Sequence, residues 1–288
     1  MSTSLIISIL ATSILFTIFK FFEKYKVVSL NAIVMNYMVA SALAFSIPEE
    51  IKPFFYVIHQ PWFPISILLG FLFVTLFQVM AYSSQKIDIS TTTIANKTTF
   101  IFPTIMGIFF FNEPWNYMKV VGFSVAIASI VLSAESKRKF PKLKTYFVLL
   151  ILFFGGGILE ILLSYSQKFL IVASDTSIFF GYLFFFAFIF GLLILLRQIK
   201  NGKNKPSKKD ILGGVILGIP NYFSMYFLLD SLNDLPSSSV FPLANMGVIL
   251  SSTLLSIVLF HEKLSKKKSL AVLCSILAIL LISFYDIF

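Results

Sequence analysis

The sequence predicts an all-helical membrane protein whose ten spans form two five-helix repeats of opposite orientation. Three observations carry that expectation. Of 288 residues, 58% are hydrophobic and only 12% charged, more apolar surface than a soluble domain of this length can bury. The apolar residues fall into runs of about 20, the length that crosses a hydrocarbon core about 30 Å thick. Two distant stretches, 95–133 and 244–282, also match one another without a gap.

The first run, about 4–22, has no basic residue ahead of Leu5 and no small-residue cleavage pattern, so it reads as a span and not as a cleaved leader. The others lie at about 29–47, 63–83, 89–111, 117–134, 146–166, 177–196, 211–230, 237–260 and 269–286. Short connections make neighbouring spans antiparallel hairpins and leave almost no chain outside the membrane. The odd-numbered connections hold most of the basic residues, among them Lys20, Lys86, Arg138, Lys208 and Lys268, whereas the even ones hold Lys52, Lys119 and Lys168. Positive loops stay in the cytoplasm. Both termini are therefore expected outside the cytoplasm, in a bacterial inner membrane.

The formal charge of +10 sits in these connections, next to anionic headgroups, and not as a stripe on a folded domain. Nucleic acid is thereby excluded as a partner; the expected ones are membrane lipid and a small-molecule solute. The single cysteine, Cys274, rules out an intrachain disulfide or a cysteine-based metal site.

In the matched stretches Asn96 meets Asn245, Phe111 meets Phe260, Glu113 meets Glu262 and Lys119 meets Lys268; upstream, Tyr37 of 29–42 meets Tyr182 of 174–187. The repeats are residues 1–144 and 145–288, joined by the charged linker 135–144, "ESKRKFPKLK". Because five is odd, the second repeat enters the membrane upside down, a plan that lets two similar halves open to either side in turn.

The ten spans, the fourth and ninth ending in "FFFNEP" (109–114) and "VLFHEK" (258–263), resemble the drug/metabolite transporter superfamily in its ten-helix EamA branch. The resemblance implies transport of small metabolites or drugs, and a cavity lined by spans three, four, eight and nine, with spans one, two, six and seven around them. Spans five and ten support dimers in shorter relatives. A fused double repeat needs no partner to complete its cavity, so a monomer suffices and a dimer is possible.

Ionised groups at membrane depth cost several kcal/mol unless they face water or a partner. Lys97 lies about 12 Å into the fourth span, near the midplane, among Thr91, Thr92, Thr93, Asn96, Thr98 and Thr99. It is expected to offer a fixed positive charge to a carboxylate or phosphate on the solute, with Asn96, Thr93 and Asn245 as polar neighbours. Gln78, Tyr82, Asn221, Tyr222 and Tyr226 fall on the third and eighth spans, and Asn36 and Tyr37 on the second; all are candidate solute contacts, and Tyr and Asn also serve as interhelical glue. Glu160 is the other deep charge. Small multidrug relatives carry one embedded glutamate in their first helix that exchanges protons for cationic drugs, and Glu160 holds a comparable place in the sixth span; its counterpart in the first is Leu15. It is a candidate proton carrier, or else an ion-pair partner of Lys97. Pro103, Pro220 and Pro242 each remove one backbone hydrogen bond inside a span, and Gly155, Gly156 and Gly157 precede Glu160; these six are candidate gating or hinge positions, close packing being the other use of the glycines.

No phosphate-binding Gly-Lys-Ser loop, metal motif or hydrolase motif occurs, so neither a cofactor nor an enzymatic activity is expected. The sequence points to a secondary transporter, an exporter in its simplest form, of a small polar or anionic metabolite such as an amino acid, possible coupling being to protons. A multidrug exporter of the same superfamily and a structural subunit without a solute path are the alternatives.

Overall fold

Long apolar runs without interior charge can satisfy their backbone groups in a membrane only by forming helices, and helices are what the chain forms. The computed structural model describes residues 3–47, 52–102, 105, 117–133, 142–202, 205–234 and 237–283. The helices are α1 (Thr3–Tyr25), α2 (Ser29–Ser46), α3 (Phe63–Lys86), α4 (Ile89–Lys97), α5 (Tyr117–Ser133), α6 (Lys142–Tyr165), α7 (Thr176–Lys200), α8 (Lys208–Asp234), α9 (Ser237–Phe260) and α10 (Lys266–Ser283), with a short helix Phe54–Ile58 between α2 and α3; no strand occurs among the described residues. Seven of them, α1, α2, α3, α6, α7, α8 and α9, are long and apolar enough to cross a membrane.

Three of the ten expected spans are not among these seven. Helix α4 runs for 9 residues before tightening into a 3₁₀ turn at Thr98–Phe100. The apolar part of α5 is Val120–Leu132, and α10 opens on Lys266, Lys267 and Lys268, which shortens its apolar stretch. Exposed apolar residues recur at helical spacing, as in Leu143, Phe147, Leu150, Phe154 and Ile158 of α6. Such a stripe suits contact with acyl chains, not water.

The chain divides into two contact units, and each draws on both halves of the sequence: Met1–Phe21, Val79–Glu160 and Phe223–Phe288 form the first, Phe22–Gln78 and Ile161–Tyr222 the second. In the second unit α2 packs along α7, with Leu30 and Val34 against Leu195. Close approach depends on glycine. A Cβ on Gly214 of α8 would stand 2.4 Å from Met35 Cβ and 2.6 Å from the Ala32 carbonyl oxygen of α2. Trp62 is wholly buried, edge-on to Phe179 at 5.8 Å and beside Tyr182. Two carboxylates fasten the helix ends. Asp210 accepts from the Val28 amide at 2.7 Å, Asn31 Nδ2 at 2.9 Å and the Ser207 amide at 2.8 Å, while Asp175 accepts from the Tyr56 hydroxyl and pairs with Lys52 at 3.6 Å.

In the first unit α5 packs along α10 and α4 along α9. Beside ring pairs such as Phe102–Phe153 at 4.9 Å, hydroxyls join its helices: Ser90 meets Ser256 at 3.0 Å, Ser83 meets Thr92 at 2.7 Å, and Ser13 bonds Ser251. Helix α6 approaches α4 at its glycines, where a Cβ on Gly156 would lie 2.9 Å from Thr99 Cγ2 and one on Gly157 only 2.2 Å from Phe102.

Candidate functional site

Asp88 starts α4. Its extended backbone and its carboxylate, accepting from the Thr91 amide at 2.8 Å, form a helix N-cap. Nine residues on, Lys97 ends the regular helix, at the point where the backbone tightens into the 3₁₀ turn. Such a turn inside an apolar run alters the direction of the carbonyls that follow it.

Lys97 and Asn96 are both half-buried. Among the described residues the Lys97 ammonium makes no hydrogen bond or ion pair. The charge that bears on it is that of Glu160, from α6. Glu160 in turn lies 2.7 Å from the Thr99 hydroxyl, which is also 2.7 Å from the Asn96 carbonyl oxygen, so the single proton of Thr99 has two acceptors to choose between. The amide nitrogen of Asn96 reaches toward α6, 3.5 Å from where a Gly156 Cβ would stand.

Most hydroxyls around Lys97 are already engaged. Thr92 binds Ser83 and the Asp88 carbonyl, and Thr98 binds the Ile94 carbonyl. Thr93 differs: its hydroxyl is buried and has no partner. A buried polar group left unpaired costs roughly 1–3 kcal/mol, and such a deficit is removed when water or a solute supplies the missing bond.

The remaining expected residues divide between the two units. In the first, Asn245 is buried on α9, the helix packed along α4; Tyr82 lies under the Lys144 ammonium, 6.0 Å from its ring centre; Tyr226 is exposed on α8. In the second, Asn221 and Tyr222 are buried on α8 and Gln78 is half-buried on α3. Asn36 and Tyr37 of α2 are wholly buried there. Neither amide atom of Asn36 has a partner, nor has the Tyr37 hydroxyl, although the Tyr37 ring packs on Phe77 and Phe184. Pro220 sits within α8, which continues through it from Lys208 to Asp234; α9 likewise continues through position 242, and α6 through Gly155, Gly156 and Gly157. Pro103 and Glu113 lie outside the described residues.

At Glu262, a helix-end carboxylate placed to accept lysine donors, the structure assembles a cluster whose other members the sequence did not bring together. Lys20, Asp88, Glu262 and Lys268 meet where α1 ends, α3 turns into α4 and α9 turns into α10. Lys268 pairs with Asp88 and Lys20 with Glu262 at 3.9 Å, while Lys20 also donates to the Ser84 carbonyl at 3.1 Å. His261, at φ 50, ends α9 in the left-handed region, and the Glu262 amide closes back on the Ser256 carbonyl at 3.2 Å. Lys20 and Lys268 are each 8% exposed, so they are not the headgroup neighbours that their positions suggested; carboxylates from other helix ends neutralise them. Burial first, then the negative charge of Asp88, hold the Glu262 carboxyl above its ordinary range, against the pull of Lys20, Lys268 and the Ile89 amide. The available signal was the repeat itself, which aligned Glu113 with Glu262 and Lys119 with Lys268.

Comparison with known proteins bears on this arrangement. Residues 150–284 match the model of the EamA-like transporter family. The whole chain is similar to an uncharacterised protein of Haemophilus influenzae, 23% identical over 295 residues that cover 98% of each. It also resembles a protein of known crystal structure with a TM-score of 0.65, at 13% identity and covering 99% of this chain and 98% of that one, a likeness of fold. The matched segment carries Glu160, Asn245 and Glu262. The second half of the chain, residues 150–284, is thus similar to the EamA-like transporter family of the drug/metabolite transporter superfamily.

Proposed function

We propose that the chain is a secondary transporter that moves a small polar or anionic solute by alternating access, with Lys97 as the fixed cation that receives it. One observation carries this reading: an ammonium without hydrogen bond or ion pair among the described residues, one helical turn from Thr93, whose hydroxyl is unpartnered. An isolated charge deep in an apolar helix is costly; an arriving carboxylate or phosphate would offset that cost.

The helix pairings support a plan of two inverted five-helix repeats. Helices α2 and α7, α4 and α9, and α5 and α10 pack together, so each partner lies five helices further along the chain. The connections agree. Val28, after α1, meets Asp210, after α7; Lys20, at the end of α1, meets Glu262, after α9; Tyr56, after α2, meets Asp175, after α6. Odd connections meet odd and even meet even, as they must when ten spans cross a membrane in turn. The termini then face away from the cytoplasm by the lysine distribution. A reporter active only outside the cytoplasm, fused after Phe288, tests that orientation and is expected to be active.

Flux into proteoliposomes of amino acids, organic acids and sugar phosphates tests the function. Wild-type protein is expected to carry at least one anionic member, and Lys97→Ala to lower that flux about tenfold or more, the worth of one charged hydrogen bond, with unchanged thermal unfolding. An inert wild type, with a folding defect in Lys97→Ala, would favour a structural subunit instead.

A further inference from the structure

We propose that the solute anion and a proton bind this site together, so that the carrier moves them in the same direction; this rests on Lys97 being the anion's partner. Glu160 is the residue that sets the sign. It bears on Lys97 without forming a contact ion pair, it is fixed by the Thr99 hydroxyl at 2.7 Å, and its helix is held against α4 at Gly156 and Gly157. Among the described residues, Lys97 from α4 is the charged group that faces Glu160, and Glu160 from α6 the one that faces Lys97.

With both groups ionised the pair is neutral, and the carboxylate already occupies part of the field of the ammonium. An incoming anion meets attraction from Lys97 and repulsion from Glu160. Protonating Glu160 removes the repulsion and leaves the cation for the solute. Reciprocally, a bound anion strengthens proton binding on every titratable group beside it, since linkage is symmetric. No particular assignment of the proton is needed: it enters the pair on either residue as the anion arrives. The exchange expected from the multidrug relatives needs the opposite sign, with solute and proton competing for one carboxylate. A cationic solute would compete in that way; an anionic one cannot.

The experiment uses the full chain in detergent and three probes whose own charge is constant between about pH 5.5 and 7.5: sulfate, L-lactate and L-aspartate. Calorimetric titration is expected to show at least one of them binding more tightly as pH falls, by up to about tenfold per pH unit where one proton is taken up per anion. Lys97→Ala should weaken that binding, and Glu160→Gln should make it tight and indifferent to pH. In weakly buffered solution, binding to the unmodified chain should take up protons, a readout that needs no variant. Anion binding that depends on Lys97 but is flat in pH, releases protons, or keeps its pH dependence in Glu160→Gln overturns the coupling and leaves the anion site standing. If Lys97→Ala weakens the binding of none of the three, both are overturned.

Discussion

The two contact units solve the burial problem differently. The second fills its interior with rings, Trp62 against Phe179 and Tyr182 and Tyr37 against Phe77 and Phe184, and lets α8 approach α2 through Gly214 and Gly218. Its carboxylates, Asp175 and Asp210, stay at helix ends with their bonds satisfied. The first unit carries hydroxyls and charges inward: the Ser90–Ser256 and Ser83–Thr92 contacts, the Lys20–Glu262 and Lys268–Asp88 pairs, and the deep Lys97 and Glu160. A helix that needs only to pack gains more from rings and glycines. Ionisable groups in a membrane interior are kept at a greater cost than the unpartnered amide of Asn36 or hydroxyl of Tyr37, so the unit that carries Lys97 and Glu160 is the one to read for function.

Breaking the charge cluster should have the largest effect on this contrast. Lys268→Met leaves Asp88 buried without its cation and is expected to lower stability by about 3 kcal/mol, the low end for a broken buried pair. Adding Asp88→Asn should recover most of that loss in a double-mutant cycle read by unfolding in detergent; a purely additive result would mean that the pair does not interact.

Trp62→Ala, in the ring-filled unit, removes a wholly buried side chain and should cost about 3 kcal/mol by cavity formation. Unfolding in detergent reads that loss, and an unchanged midpoint would mean that the ring is not packed as described. Gly214→Ala comes next, at about 1–3 kcal/mol: the added carbon meets the Ala32 backbone oxygen at 2.6 Å, which cannot rotate away as a side chain would. A neutral outcome would show that α2 and α8 are further apart than described.

The smallest effect concerns pH. The Glu262 carboxyl is held above its ordinary range, so the folded chain binds its proton more tightly than the unfolded chain does. That contribution to stability is complete below the ordinary carboxylate range and is lost as pH rises through the raised folded value. Melting temperature should therefore fall over that window, and Glu262→Gln should flatten this part of the profile; an unchanged profile would remove Glu262 as its source.

The helices and their turns were largely legible, because apolar runs separated by short polar links leave a membrane chain little choice. Lys97 and Glu160 stood out for the same reason, as ionisable groups in oil. The four-charge cluster did not. Each member sits beside a connection, where lysines ordinarily serve the headgroups, and Asp88 finds Lys268 across 180 residues of sequence, a separation that no local pattern encodes. The engaged hydroxyls of Thr92 and Thr98 were equally hidden, since composition does not reveal which threonine turns back to its own helix.

A Lys97 that receives a solute must be reachable from water at membrane depth. A Lys97→Cys chain in a Cys274→Ser background, exposed in vesicles to a small membrane-impermeant thiol reagent, tests it most directly. Complete labelling is the expected result. A thiol that stays unreactive from both sides of the membrane while the protein remains folded would contradict it.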